Sequence, residues 1–355
     1  MEHLIPDEWF IGLSQWTLLG ITAISVAVLA KGADWLVDGA SGLAYRLGIP
    51  KVIVGATIVS LGTTSPEAAV SVMAAWGGEP GLALGNAIGS IVVDSGLIFG
   101  LGCLLVVLPA DRFVLQRQGW VQFGSGALLA AICYGAWWLQ GGDATIGRAI
   151  GIGMLVLLVV YMIVSVRWSK QHPEGGPFQI HEEDEAAVRG DKPDDGLVAI
   201  GAVGLGLVLL ASRGMIASVT ELAEAHWHVP KVVIAATLVA FGTSLPELVI
   251  GIASIFKGHK ELLVGNIIGA DILNVLFVIG ASATALPLPI VEHGTSLPEI
   301  LLFLHLPTML VILVLFRVFI AASARRGEFR RWYGLPLIAI YIAYGVAQYI
   351  VGKGA

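Results

Sequence analysis

Ten apolar stretches, each long enough to cross a bilayer, constrain the fold more than any other feature of this sequence. They lie near residues 14–44, 51–76, 82–109, 120–140, 146–168, 196–224, 231–256, 261–286, 297–320 and 332–352. About 20 helical residues cross a ~30 Å hydrocarbon core. Because lipid offers no hydrogen-bond partners, each stretch is predicted to be an α-helix. With only 13% charged residues, the chain is predicted to be an all-α integral membrane protein with ten transmembrane helices.

Two of these stretches carry a glutamate near their middle, in the hexapeptides GTTSPE (62–67) and GTSLPE (242–247). A charge at that depth costs at least ~2.5–3.5 kcal/mol, so it indicates function. Proline removes a backbone donor and crowds the preceding turn, so we expect the helices to open at Pro66 and Pro246. Freed carbonyls, hydroxyls and the carboxylates Glu67 and Glu247 then meet at one depth. Such an oxygen-rich cage is typical of hard-cation sites.

The sequence repeats at an offset of 180 residues. Pro50, Glu67 and Asn86 fall on Pro230, Glu247 and Asn266 without any insertion. Five spans per half is an odd number, so the second half enters the membrane from the opposite side. We therefore predict two inverted-topology repeats, as in secondary transporters. Residues 1–168 form the first, residues 169–195 an acidic linker, and residues 196–355 the second.

Basic residues predict the orientation. They are concentrated in the loops after spans one, three, five, seven and nine. By the positive-inside rule these loops and the 169–195 linker are cytoplasmic, and both termini lie outside. The predicted location is the cell inner membrane.

A second polar helix face follows each hexapeptide. Its members in the first half are Asn86, Ser90 and Asp94, and the second half places Asn266, Ala270 and Asn274 at the same positions. Residues four apart lie on one face of a helix. Polar contact between helices would explain the asparagines alone. It does not explain the three acids Glu67, Asp94 and Glu247, which have no obvious intramembrane base to neutralise them and therefore favour a cation site.

The two motifs resemble the alpha repeats of the sodium/calcium exchanger family, within the calcium/cation antiporter superfamily, in its prokaryotic type. They span residues 50–100 and 230–280. The resemblance implies that calcium is held by the side chains of Glu67 and Glu247 and the carbonyls of Thr63 and Thr243. It implies an outward sodium site at Ser90, Ser244 and the carbonyl of Ala240, and an inward one at Thr64 and the carbonyl of Ser60. Asp94 and Asn274 would flank the central position.

Two departures from the family pattern concern the sodium sites. Alanine occupies position 270, where a serine hydroxyl is usual, and the central carboxylate lies in the first repeat, at Asp94. We expect the swap between Asp94 and Asn274 to preserve the cage, because the repeats are related by pseudo-symmetry. Asp271 follows Ala270 directly, and we expect it to point elsewhere rather than to replace the hydroxyl.

The predicted function is exchange of calcium for sodium by alternating access, with the long spans 14–44 and 196–224 sliding against the other eight. Glycines along both spans favour close helix packing. The alternatives are a calcium/proton antiporter or a potassium-dependent exchanger on the same scaffold. An intramembrane hydrolase is a different class, but the required catalytic motifs are missing from the sequence. Beyond the transported ions and the lipid bilayer, we predict no cofactor and no nucleic-acid partner.

Overall fold

The computed structural model describes residues 7–47, 51–76, 80–170, 194–226, 244–291 and 300–353, and these are almost entirely helical. In the first half the helices are α1 (Gln15–Leu47), α2 (Lys51–Val54), α3 (Ser60–Trp76), α4 (Pro80–Ile91), α5 (Phe99–Leu105), α6 (Arg112–Gln140) and α7 (Arg148–Lys170). In the second half they are α8 (Asp194–Glu221), α9 (Leu245–Phe256), α10 (Lys260–Leu273), α11 (Gly280–Ala285), α12 (Leu306–Ser323) and α13 (Gly334–Lys353).

Short irregular elements join these helices. The π-helical segments are Gly55–Val59, Val92–Ile98, Leu222–His226, Asn274–Ile279 and Leu301–His305. The 3-10 turns are Asp7–Trp9, Gly141–Asp143 and Arg331–Tyr333, and the strands are β1 (Thr145–Ile146) and β2 (Leu288–Pro289).

Within the described residues, seven helical segments are long and apolar enough to cross a membrane. They are Gln15–Leu43, Gly81–Leu105, Arg148–Trp168, Gly196–Glu221, Lys260–Ala285, Leu301–Ser323 and Arg331–Ile350, and Glu67–Trp76 and Leu245–Phe256 are shorter apolar helices. With α6 over the fourth predicted span, helix occupies some part of all ten predicted spans. The prediction of an all-α integral membrane protein is confirmed.

The 180-residue repeat is visible in the positions of the helices. Helix α4 begins at Pro80 and α10 begins at Lys260, and each continues into a π-helical segment, Val92–Ile98 and Asn274–Ile279. Equivalent positions of the two halves therefore carry the same unusual backbone. The boundaries of the two halves stay a prediction, because most of the 169–195 linker lies outside the described residues.

Contacts between loops fix which loops share a face of the molecule. Strands β1 and β2 pair antiparallel and join the loops after spans four and eight. The backbone at Pro109 bridges to Glu328 and joins the loops after spans three and nine. The loops after spans four and eight thus share one face, and the loops after spans three and nine share another, which agrees with a path that alternates through the membrane.

Helices α1 and α8 pack along each other with their backbones in close contact. A methyl group added at Gly39 would come within 2.7 Å of the Gly201 backbone, and one added at Gly204 within 2.5 Å of the Leu36 nitrogen. Small residues at these positions are what permits such an approach. Gly206, another predicted contact, has no described atom within 4 Å.

The helix distortion in the first half lies about two turns earlier than the sequence predicts. Helix α3 is continuous through residue 66, and the preceding segment Gly55–Val59 is π-helical instead. The Ser60 amide bonds to the carbonyls of Gly55 and Thr57, so the carbonyl of Ala56 is released and accepts a hydrogen bond from Tyr161 at 3.1 Å. The prediction that the helix opens at Pro66 is therefore wrong. In the second half α9 begins at Leu245, with proline in its first turn, and opening at Pro246 stays a prediction because residues 227–243 lie outside the described part of the chain.

Candidate cation site

Three acids predicted for the site lie in the protein interior and come from both halves. Glu67 on α3, Asp94 in the segment Val92–Ile98 and Glu247 on α9 are at most 1% exposed. Their carboxylates act on one another electrostatically, since Glu67 and Glu247 interact and Asp94 interacts with both. The fold therefore brings together the acids that the sequence places 180 residues apart.

Ser90 connects the polar face of α4 to the first glutamate. Its hydroxyl donates a hydrogen bond of 2.8 Å to Oε1 of Glu67. Oε2 of Glu67 has no hydrogen-bond partner among the described residues. One glutamate oxygen is thus fixed, and the other is available to a ligand.

The hydroxyl residues around Glu67 differ in what they contact. Thr63 is fully buried, and its hydroxyl donates to the carbonyl of Ser60 at 3.2 Å. Its side chain also lies near Glu247 of the other half. Thr64 is buried too, but its hydroxyl has no partner within the described part of the chain.

The second half contributes a similar set. Ser244 directly precedes α9, lies near Asp94, and has a hydroxyl that is buried without a described partner. Asn274 begins the π-helical segment Asn274–Ile279 and lies near Glu67. Thr243 and Ala240, the remaining predicted positions, lie outside the described residues.

Many buried polar atoms of this region lack a hydrogen bond within the described ranges. They are Thr64 Oγ1, Glu67 Oε2, Ser244 Oγ, and both polar side-chain atoms of Asp94, Glu247 and Asn274. Buried polar groups are normally paired, and an unpaired buried charge is strongly unfavourable. A concentration of unpaired oxygens from two repeats is the arrangement that a desolvated cation stabilises.

The carboxylates do not make a metal site by themselves. Among the described residues, no three His, Cys, Asp or Glu side chains lie close enough to hold one ion. A cation at this site therefore also needs hydroxyl and carbonyl oxygens, which hard cations accept.

Position 270 is fully buried and lacks a hydroxyl, as the sequence predicts. The neighbouring Gly269 packs directly on the distorted part of the second span. A methyl group there would lie 2.5 Å from both the Ala56 carbonyl and the Ser60 hydroxyl. Helix α10 is thus held against the segment that precedes Ser60.

Asp271 is a buried acid to which the sequence analysis assigns no role in the site. It is 1% exposed, and its Oδ2 accepts hydrogen bonds from Ser95 and, at 2.6 Å, from Gln122 on α6. It also acts electrostatically on Glu67 and Asp94. The expectation that it does not replace the hydroxyl missing at position 270 is not contradicted, since its described hydrogen bonds go to Ser95 and Gln122. Its side chain is enclosed by protein because α10 is buried on every side from Leu262 to Leu273.

Comparison with known proteins identifies the group to which this architecture belongs. The family model described as "Sodium/calcium exchanger protein" matches residues 17–167 and 196–350. The inner membrane protein YrbG of Escherichia coli (strain K12) is 32% identical over 268 residues, which cover 74% of this chain and 78% of that protein. The sodium/calcium exchanger MaX1 of Methanosarcina acetivorans is 26% identical over 354 residues, covering 93% and 98%.

A solved structure shares the fold. It is that of the sodium-calcium exchanger NCX_Mj, with a TM-score of 0.74, 24% identity, and coverage of 93% of this chain and 98% of that one. The chain therefore belongs to the sodium/calcium exchanger protein family, whose members are membrane transporters rather than enzymes.

Proposed function

We propose that the protein exchanges calcium for sodium across the membrane by alternating access. The observation that carries this proposal is the set of buried, unpaired oxygens on Glu67, Asp94 and Glu247, contributed by both repeats. A site between two inverted repeats, near the membrane midplane, is where secondary transporters bind their substrates. The names of MaX1 and NCX_Mj, sodium/calcium exchangers both, support the same choice of ions.

Calcium binds between the two glutamates in this proposal. Glu67 and Glu247 supply charge and a flexible number of oxygen ligands, which suits an ion that takes six to eight oxygens at about 2.3–2.6 Å. The carbonyls of Thr63 and Thr243 complete the set. Support comes from the burial of both glutamates and from Thr63 lying near Glu247.

Sodium occupies positions on either side of calcium. Ser90, Ser244 and the carbonyl of Ala240 form the outward one. Thr64 and the carbonyl of Ser60 form the inward one, and Asp94 and Asn274 flank the centre. The unpaired hydroxyls of Thr64 and Ser244 support these assignments. Sodium and calcium then share Glu67 and Glu247, so their binding is mutually exclusive, which is the basis of exchange.

Alternating access is assigned to the pair of long helices. Helices α1 and α8 are related by the repeat and pack closely on each other through glycines. We infer that they move as a unit against the remaining helices, with the acids at the centre as the fixed site. The largely buried α10 suits a stationary core.

The proposed location is the cell inner membrane, with both termini outside and the 169–195 linker cytoplasmic. The positive-inside rule supports this orientation, because the loops of one face hold most of the basic residues. The name of YrbG, an inner membrane protein, supports the location.

Calcium uptake into proteoliposomes tests the function. Outward-directed sodium and proton gradients are applied separately, with Glu67→Gln protein as the control for leak. We expect the sodium gradient to drive uptake of labelled calcium. Uptake driven by the proton gradient alone would contradict sodium coupling and favour the calcium/proton alternative. Uptake under a sodium gradient only when potassium is present would favour the potassium-dependent alternative.

A further inference from the structure

A buried polar cluster lies beside the candidate site, at the contact between α10, α6 and the segment Val92–Ile98. Ser95 donates to Oδ2 of Asp271, and Gln122 uses one amide nitrogen to donate to the same oxygen at 2.6 Å and to Ser95 Oγ at 3.2 Å. All three side chains are at most 2% exposed. Two donors from different helices thus hold one oxygen of Asp271 in a defined place.

The other oxygen, Oδ1 of Asp271, is buried and has no hydrogen-bond partner in the described ranges. The charged groups on neighbouring elements on which Asp271 acts electrostatically are Glu67 and Asp94, which are both acids. No lysine, arginine or histidine of the described chain forms an ion pair with it. A buried carboxylate in this position requires a compensating positive charge.

The cluster has no counterpart in the other repeat. The residues 180 positions away from Asp271 and Ser95 are Ile91 and Val275, and both are fully buried apolar residues. The repeat therefore packs well with aliphatic side chains at these two positions. Packing alone does not explain an acid and a hydroxyl here, and the difference indicates a role in ion handling.

We propose that Asp271 binds one monovalent cation beside the calcium position, with Oδ1 as the ligand and with Ser95 and Gln122 as the residues that orient it. This inference rests on the proposed function of the neighbouring site. The cation is sodium or, in its place, a proton, since either neutralises a single carboxylate. Asp271 lies next to Ala270, so this position adds a cation site on the helix turn where the sodium-site hydroxyl is missing.

The Asp271→Asn variant tests this inference because it removes the charge and keeps the shape and the acceptor for Ser95 and Gln122. Thermal unfolding of the purified variant in detergent is measured first, and a midpoint at the wild-type value reports correct folding. Sodium-driven calcium uptake is then measured against sodium concentration at several pH values. Asp143→Asn is the matched control, since it makes the same change in an exposed turn.

The two possible cations, sodium and a proton, give different results in this experiment. A Hill coefficient for sodium that falls by about one, with the pH profile kept, identifies sodium. An unchanged sodium coefficient with a flattened pH profile identifies a proton. A variant that matches the wild type in both respects overturns the proposal. Failure of the wild type to show sodium-driven uptake would instead contradict the proposed function itself.

Gln122→Leu provides a second test if Asp271→Asn does not fold. It leaves every carboxylate in place and removes only the amide that orients Asp271. We expect the half-saturating sodium concentration to rise by roughly three- to tenfold, the usual net effect of losing one hydrogen bond. If the cation is a proton, the half-saturating proton concentration should fall instead, because a carboxylate that loses a donor holds a proton more tightly. An unchanged value would show that orientation by Gln122 does not matter for cation binding.

Discussion

The ammonium group of Lys257 lies 2.7 Å from Oδ1 of Asp38 and donates a second hydrogen bond of 2.9 Å to the carbonyl of Asp34. Lys257 belongs to the turn between α9 and α10, whereas Asp34 and Asp38 lie on α1. The contact therefore joins one of the two long helices to the core against which it is proposed to slide. It stabilises the arrangement of these helices seen here.

Removing this contact is expected to change the rate of exchange rather than the affinity for calcium. Asp38 is more than half exposed, so the ion pair contributes only about 0.2–1 kcal/mol. Lys257→Met should thus raise calcium exchange by at most about fivefold, because it destabilises one access state. Calcium flux in proteoliposomes measures the rate, and the charge swap Asp38→Lys with Lys257→Asp should restore it. A swap variant as fast as Lys257→Met would contradict a role for the pair.

The glycine contact between the long helices gives a second prediction. Gly39→Ala places a methyl group 2.7 Å from the backbone of α8, so the two helices must separate. We expect calcium exchange to be largely lost and the free energy of unfolding to fall by about 1–3 kcal/mol, which is typical of overpacking. Gly20→Ala on the exposed side of α1, with no described atom within 4 Å, is the control and should behave like the wild type. Equal stability of both variants in a thermal unfolding assay would argue against the close contact.

The ten spans, the repeat and the buried acids could be predicted from sequence because lipid imposes simple rules. A helix must satisfy its own backbone, and an acid such as Glu67 is expensive unless it has a function. The π-helical segment Gly55–Val59 could not be predicted in this way. Its backbone depends on tertiary contacts, including the hydrogen bond from Tyr161 to the released carbonyl of Ala56.

The contacts of Asp271 could not be predicted for a different physical reason. Adjacent residues of a helix point in different directions, so the sequence places Asp271 off the face of Ala270 without showing what it contacts. Helix α10 is surrounded by protein, and a residue off the main polar face meets Ser95 and Gln122. The signal was available in the repeat, since an acid at 271 opposite Ile91 is an asymmetry that apolar packing does not require.

The two glutamates should be equally necessary. Glu67→Gln and Glu247→Gln each remove one charge and one bidentate ligand from the proposed calcium position, and each is expected to lower calcium exchange at least about 100-fold. Both substitutions keep the side-chain volume, and in Glu67→Gln the amide carbonyl oxygen can still accept the hydrogen bond from Ser90. Helical content measured by circular dichroism should therefore stay at the wild-type level. Calcium uptake near the wild-type rate in either variant would remove that glutamate from the proposed site.

The last prediction concerns the charge moved in each cycle. Glu67, Asp94 and Glu247 are all buried, and together they provide three negative charges, while the charge of Asp271 is balanced by its own cation. Three sodium ions neutralise the three acids and one calcium leaves one negative charge, so the wild-type exchange should carry a net charge and respond to membrane potential.

Asp94→Asn reduces the acids of the cage to two and makes it match Asn274 of the other repeat. The cage is then neutralised equally by two sodium ions or by one calcium ion. A third sodium ion would leave an uncompensated positive charge in the membrane, which is strongly unfavourable. We expect sodium-driven calcium uptake to continue while the exchange current falls to near zero. Currents and labelled calcium flux recorded on the same proteoliposome preparation give the charge per calcium ion directly. If Asp94→Asn moves as much charge per calcium as the wild type, Asp94 does not set the number of sodium ions.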